Sequence, residues 1–81
     1  MNWEYAAEYF KMAADLGMAE SMFNYALMLS NGEGVKMDKK EASKYYKRAA
    51  DNGQINSMYN YATMLRTGDG VDGNKKEASI Y

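Results

Sequence analysis

The chain contains no cysteine, no histidine and no proline. Without cysteine there is no disulfide framework and no thiolate metal site. Without histidine the commonest general base and the commonest metal ligand are both missing. Catalytic triads that run through histidine, zinc catalysis and haem ligation by His or Cys are thereby excluded. Without proline there is no rigid linker and no ring to break a helix interior. Long apolar runs are lacking too. The longest is Tyr25-Ala26-Leu27-Met28-Leu29, far short of the roughly 20 residues that a membrane-spanning helix needs. No Asn-x-Ser/Thr sequon occurs. Glu4 and Glu8 stand where a secretory signal wants a positive start and an apolar run. Charge of one sign is not in excess either: the formal net charge is -1, which excludes a strongly basic nucleic-acid binder read from charge alone.

What is present is one small domain of 81 residues, 47% hydrophobic and 26% charged. Its dominant feature is an internal repeat. Shifted by 36 residues, the chain matches itself at 23 of the 43 positions from Trp3 to Tyr45. Ser21-Met22-Phe23-Asn24-Tyr25-Ala26 falls on Ser57-Met58-Tyr59-Asn60-Tyr61-Ala62. Gly32-Glu33-Gly34-Val35 falls on Gly68-Asp69-Gly70-Val71, and Lys39-Lys40-Glu41-Ala42-Ser43 on Lys75-Lys76-Glu77-Ala78-Ser79.

Each unit reads as two helices, A then B. Helix A runs from about Ala19 to Ser30 with Met22, Tyr25, Ala26 and Leu29 as its apolar stripe. Helix B runs from about Lys39 to Asn52 with Ala42, Tyr45, Tyr46, Ala49 and Ala50 as its stripe. Asp38 ahead of it, with Glu41 three residues on, forms a capping-box pattern that Asn74 and Glu77 repeat; Asn2 stands in the same place before the first helix. Gly17 and Gly53 follow the ends of B helices. The order is therefore B, A, B, A and the start of a third B. The expected organisation is a single array over 1–81: a B helix over 2–16, a repeat over 18–53, and a repeat over 54–81 cut short in its second helix. Lacking an atypical, polar capping repeat, the array reads as a segment of a longer one.

The 36-residue period, the Gly-x-Gly-Val loop and the Ala-Ala-x-x-Gly helix ending together resemble the Sel-1-like repeat family. The match is carried by Ala19, Ala26, Gly32, Gly34, Val35, Asp38, Ala42, Tyr45, Ala49, Ala50 and Gly53, and one copy later by Ala62, Gly68, Gly70, Val71, Ala78 and Tyr81. Lys36 and Asp72 stand where members often have proline, and the cysteine pairs of many bacterial members are absent. The resemblance implies an all-α solenoid of antiparallel helix pairs, related to tetratricopeptide repeats, that scaffolds protein–protein contacts.

Within that frame one helix face is the candidate partner-binding groove. On helix A it holds Glu20, Phe23, Asn24 and Leu27; one repeat on it holds Asn56, Tyr59, Asn60, Thr63 and Arg66. In solenoids resembling tetratricopeptide repeats this face lines the concave side, with Phe23 and Tyr59 stacked one repeat apart. An aromatic pair with a polar rim is what peptide recognition needs. The competing reading is that both rings simply pack between adjacent A helices.

Other signals point to bland readings. The glycine loops lack the Lys-Ser/Thr and the preceding strand of a phosphate cradle, and Asp69, Asp72 and Asn74 do not follow a calcium-loop spacing because Val71 and Gly73 interrupt them. Residues 1–34 carry a net charge of -4 and residues 35–81 one of +3. Lys36, Lys39, Lys40, Lys44, Lys47 and Arg48 cluster, but interspersed acids make a solvated helix face the expectation.

The expected function is a protein-interaction scaffold for a peptide or helix, with no catalytic residues, no cofactor, no metal, no nucleic acid and no membrane as partner. A homodimer through open repeat ends (Trp3, Tyr5 and Tyr9 at one, Ile80 and Tyr81 at the other) is the alternative, as is a regulatory repeat region of a larger signalling protein. The expected compartment is the cytoplasm.

Overall fold

In the computed structural model residues 2–70 are described. They form four helices: α1 (Trp3–Asp15), α2 (Ala19–Asn31), α3 (Lys39–Asp51) and α4 (Ile55–Thr67). Each packs against the next in sequence, most extensively α2 against α3. This is an all-α array of antiparallel helix pairs. The second capping pattern at Asn74, the start of the third B helix, and Ile80 and Tyr81 lie outside the described residues.

Local chemistry sets the helix ends. Asn2 Oδ1 accepts from the Tyr5 amide at 3.1 Å, and Asp38 Oδ1 accepts from the Glu41 amide at 3.0 Å. The Glu41 carboxylate lies 3.5 Å from Lys44. α4 is capped differently: Gln54 Oε1 accepts from the Ser57 amide at 2.6 Å. At the B-helix ends, the Met18 and Gln54 amides donate to the Ala13 and Ala49 carbonyls at 3.1 and 3.0 Å, closing both helices the same way.

The A-to-B loops hold a tighter constraint than a turn alone. Gly34 has φ +72° and Gly70 has φ +84°, in the region that favours glycine. A Cβ at Gly34 would collide with the Trp3 carbonyl, and one at Gly70 with the Lys39 carbonyl. Each loop thus lies flat on the first turn of the preceding B helix, and the contact recurs with the 36-residue period.

The core pairs small residues on B helices with large ones on A helices. Ala7, Ala14, Ala42 and Ala49 are buried, as are Met22, Met28, Leu29, Met64 and Leu65. Tyr25 and Tyr45 meet edge to face with ring centroids 4.8 Å apart. α3, packed on both α2 and α4, buries Ala42, Ser43, Tyr45, Tyr46, Ala49 and Ala50. α1 packs on α2 and buries only Ala7 and Ala14.

Candidate interaction face on the A helices

The sequence places the candidate groove on α2 and α4, which flank α3. Glu20 is exposed on the first turn of α2, and its Oε2 accepts from Gln54 Nε2 at 3.4 Å. That bond ties the start of α2 to the cap of α4. Asn24 and Leu27 are half-buried, and Leu27 packs on the core. On α4, Asn56 and Arg66 are exposed, and Asn60 and Thr63 are half-buried. Thr63 Oγ1 donates to the Tyr59 carbonyl at 2.9 Å, so its hydroxyl is engaged by its own helix.

Phe23 and Tyr59 do not behave as twins. Phe23 is half-buried, its ring 6.1 Å from Tyr46 of α3 and tilted by 55°. Tyr59 leaves 70% of its surface exposed. The expected stack of the two rings is replaced by Phe23 on Tyr46, because the intervening B helix presents Tyr46 to α2. Asn60 reaches the same residue from α4 and hydrogen-bonds the Tyr46 hydroxyl. Burial pushes that hydroxyl's pKa up, and the Asn60 bond acts against the push. Tyr46 therefore joins the two halves of the candidate face, a role that repeat spacing alone does not reveal.

A second polar junction lies between the B helices. Tyr45 Oη donates to Asp15 Oδ1 at 3.1 Å, and Arg48 Nη1 donates to the same oxygen at 3.2 Å. Arg48 Nη2 also donates to the Ala14 carbonyl at 3.3 Å, and the guanidinium sits 5.0 Å from the Tyr45 ring centroid. The Arg48 hydrogen bond holds the Asp15 carboxyl below its ordinary range, against the opposing effect of burial. Burial, and then the bond to Asp15, pushes the Tyr45 hydroxyl up to about 12.

The cationic cluster is largely paired. Lys39 meets Asp69 at 3.1 Å, Lys44 meets Glu41 at 3.5 Å, Lys47 meets Asp51 at 3.4 Å and Arg48 meets Asp15 at 3.2 Å. A phosphate backbone would have to displace these carboxylates. Among the described residues no cluster of three or more His, Cys, Asp or Glu could hold a metal ion, and no helix is long and apolar enough to cross a membrane. Asp72 and Asn74 lie outside the described residues.

The model of the Sel1 repeat family matches residues 4–18, 19–54 and 55–81. No curated protein matches the chain. Among solved structures, a Sel1 repeat protein from Oxalobacter formigenes is 31% identical with a TM-score of 0.93, over 95% of this chain and 32% of that one. The protective antigen c5321 of uropathogenic Escherichia coli, described as having an SLR fold, is 24% identical with a TM-score of 0.94, over 98% of this chain and 17% of that one. Cysteine-rich protein B of Helicobacter pylori is 24% identical with a TM-score of 0.93, over 99% of this chain and 60% of that one. The last two share the fold. The chain spans 32%, 17% and 60% of the lengths of these three proteins.

Proposed function

The chain belongs to the Sel1 repeat family, and on that premise we propose that it is a protein-binding scaffold module, without chemistry of its own, whose α2–α4 face takes an extended or helical segment of a partner. One observation carries this reading: Tyr59 stands 70% exposed in the middle of α4. An aromatic ring held on a rigid helix offers large contact area at little entropic cost. Around it stand the Asn56 and Asn60 amides and the Arg66 guanidinium on α4, and Glu20, Phe23, Asn24, Leu27 of α2 complete the face with Thr63. Ring burial would supply affinity, and Glu20, Asn24, Asn56, Asn60 and Arg66 would supply direction and specificity. The lack of cysteine supports a reducing compartment such as the cytoplasm.

Selection of binders from a random twelve-residue peptide library tests the reading. Tyr59→Ala is expected to weaken the selected peptides at least tenfold while helicity stays the same. Peptides that bind Tyr59→Ala, Asn56→Ala and the parent alike would move the binding surface elsewhere.

Self-association through the open ends is favoured by the exposed Trp3, Tyr5 and Tyr9 of α1. Two α1 helices meeting face to face would bring together the Glu4 and Glu8 of both, which opposes a symmetric pairing.

A further inference from the structure

At about 100° per residue, Asn56, Asn60, Thr63 and Thr67 fall within about 60° of one another on α4. Glu20, Asn24, Leu27 and Asn31 form the matching row on α2, and both rows are exposed or half-buried throughout. α3 packs on both helices. Its Tyr46 meets Phe23 from one side and the Asn60 amide from the other, and Glu20 is bonded to Gln54 at the head of α4. The two rows therefore border one strip with α3 beneath it. All three helices that bound the strip are described, so its exposure is not set by the ends of the chain. Arg66 stands roughly 90° round α4 from this row, on the side away from Asn60 and Tyr46.

By residue type the strip is balanced, since Asn and Thr side chains both donate and accept. The structure removes that balance. Thr63 Oγ1 donates to the Tyr59 carbonyl and Thr67 Oγ1 to the Thr63 carbonyl, each at 2.9 Å. A hydroxyl has one hydrogen, so toward the strip both oxygens can only accept. Asn31 spends an amide hydrogen on Glu33 Oε1 at 3.3 Å, and its own Oδ1 accepts nothing among the described residues. The bond from Asn60 lowers the Tyr46 pKa, which is the effect of an N–H donated to the phenolic oxygen. That leaves Asn60 Oδ1 free to accept. Glu20 is a carboxylate with no ion pair among the described residues. Neither row holds a lysine or arginine. Only Asn24 and Asn56 keep a whole amide. The strip is thus rich in unspent acceptors, poor in donors, and carries one negative charge.

Lysine brings three donors and arginine five, and neither brings an acceptor. Their alkyl stems also suit the apolar part of the strip, where Phe23 and Leu27 are half-buried. Acidic side chains would set acceptor against acceptor. Resting on the reading of the α2–α4 face as the binding surface, we propose that its occupant is a basic segment of a partner protein. Lys or Arg stems cross the strip over Phe23 and Leu27, and their heads meet Glu20, Thr63 Oγ1 and Asn60 Oδ1. The acceptors select the sign of charge, and the apolar floor adds contact area.

The test reads composition as well as affinity. Binders are selected on the full chain from the random twelve-residue peptide library, and the pool is sequenced. Lys and Arg are expected to be enriched roughly threefold or more over the unselected library, with Asp and Glu depleted. Selection on a Glu20→Gln, Thr63→Lys variant, which withdraws two acceptors and adds a cation, is expected to lose that enrichment. Selection on Glu4→Gln, Glu8→Gln, which removes two acids outside the strip, is expected to keep it. The selected peptides are expected to bind Leu27→Ala and Thr63→Lys more weakly, at helicity matching the parent. Binders weakened by Leu27→Ala but not enriched in Lys or Arg overturn the proposal and leave the α2–α4 face as the binding surface. Basic binders indifferent to both Leu27→Ala and Thr63→Lys sit elsewhere and overturn the proposal and that reading together. Loss of enrichment on Glu4→Gln, Glu8→Gln overturns the proposal too, because overall charge and not the strip would then be selecting.

Discussion

The hydroxyl of Tyr45 donates to Asp15 Oδ1 across 3.1 Å, linking residues 30 apart in sequence. It joins the last turn of α1 to the middle of α3, two B helices that each lie against α2. Arg48 reaches the same oxygen from the next turn of α3. The junction thus fixes the angle at which one repeat follows another, and through it the alignment of the α2–α4 face.

Its energetic weight is modest and measurable. Tyr45→Phe keeps the ring against Tyr25 and removes one hydrogen bond to a charged group, so about 1–2 kcal/mol of stability is expected to be lost. Arg48→Ala removes a half-exposed pair and is expected to cost about 0.5–1 kcal/mol. The double variant should lose less than the sum, since both groups share one oxygen. Urea denaturation followed by circular dichroism measures all three; strict additivity would show that the two bonds act independently.

The same junction sets a pH dependence at both ends of the scale. The folded Asp15 carboxyl titrates below its ordinary range, so its contribution is present above about pH 4 and is lost as pH falls through the folded value. The folded Tyr45 hydroxyl titrates at about 12. Its contribution is complete below the ordinary tyrosine value of about 10 and disappears as pH rises from there through the folded value. Tyr25 and Tyr46 are shifted upward as well, chiefly by burial. Thermal melts should therefore show Tm falling on the acid side less in Asp15→Asn than in the parent. On the alkaline side Tyr45→Phe should reduce the fall without removing it.

The parts of this architecture that were legible in sequence are those decided within a few residues. Asn2 and Asp38 cap helices because an acceptor side chain next to a free first turn is a local arrangement. The stripe of Ala42, Tyr45, Tyr46 and Ala49 is buried because helical spacing puts it on one side. Gln54 is not legible as a cap, since glutamine is not among the residues preferred there. The Asp15–Arg48 pair and the Tyr46 junction depend on how helices cross, which periodicity does not encode. Phe23 and Tyr59 occupy one register yet differ in exposure: Phe23 is covered by Tyr46 of the B helix that follows it, and the corresponding helix after α4 lies outside the described residues.

Ser57 is fully buried, and its hydroxyl has no hydrogen-bond partner among the described residues. A buried donor left unmade carries a desolvation penalty, and alanine has the better helix propensity. Ser57→Ala is therefore expected to stabilise the chain by about 0.5–1 kcal/mol. A higher urea midpoint at unchanged slope would be the signature. A loss of stability would mean that the hydroxyl has a bound partner in solution, such as a water molecule.

Two glycines with the same sign of φ should answer very differently to alanine. Gly17 has φ +100° and nothing within 4 Å of where a Cβ would stand. Gly17→Ala should cost only the backbone term, about 1–2 kcal/mol. Gly34 has φ +72°, but its missing Cβ points at the Trp3 carbonyl. Backbone cannot yield as the tip of a flexible side chain can, so Gly34→Ala should add a steric cost and lose about 3 kcal/mol or more. The loop would have to lift from the first turn of α1, loosening the cap at Asn2. Amide hydrogen exchange at Tyr5, whose N–H Asn2 accepts, should therefore speed up in Gly34→Ala and not in Gly17→Ala. Equal stability losses in the two variants would mean that the loop does not lie on α1 in solution, and that its glycines serve the turn alone.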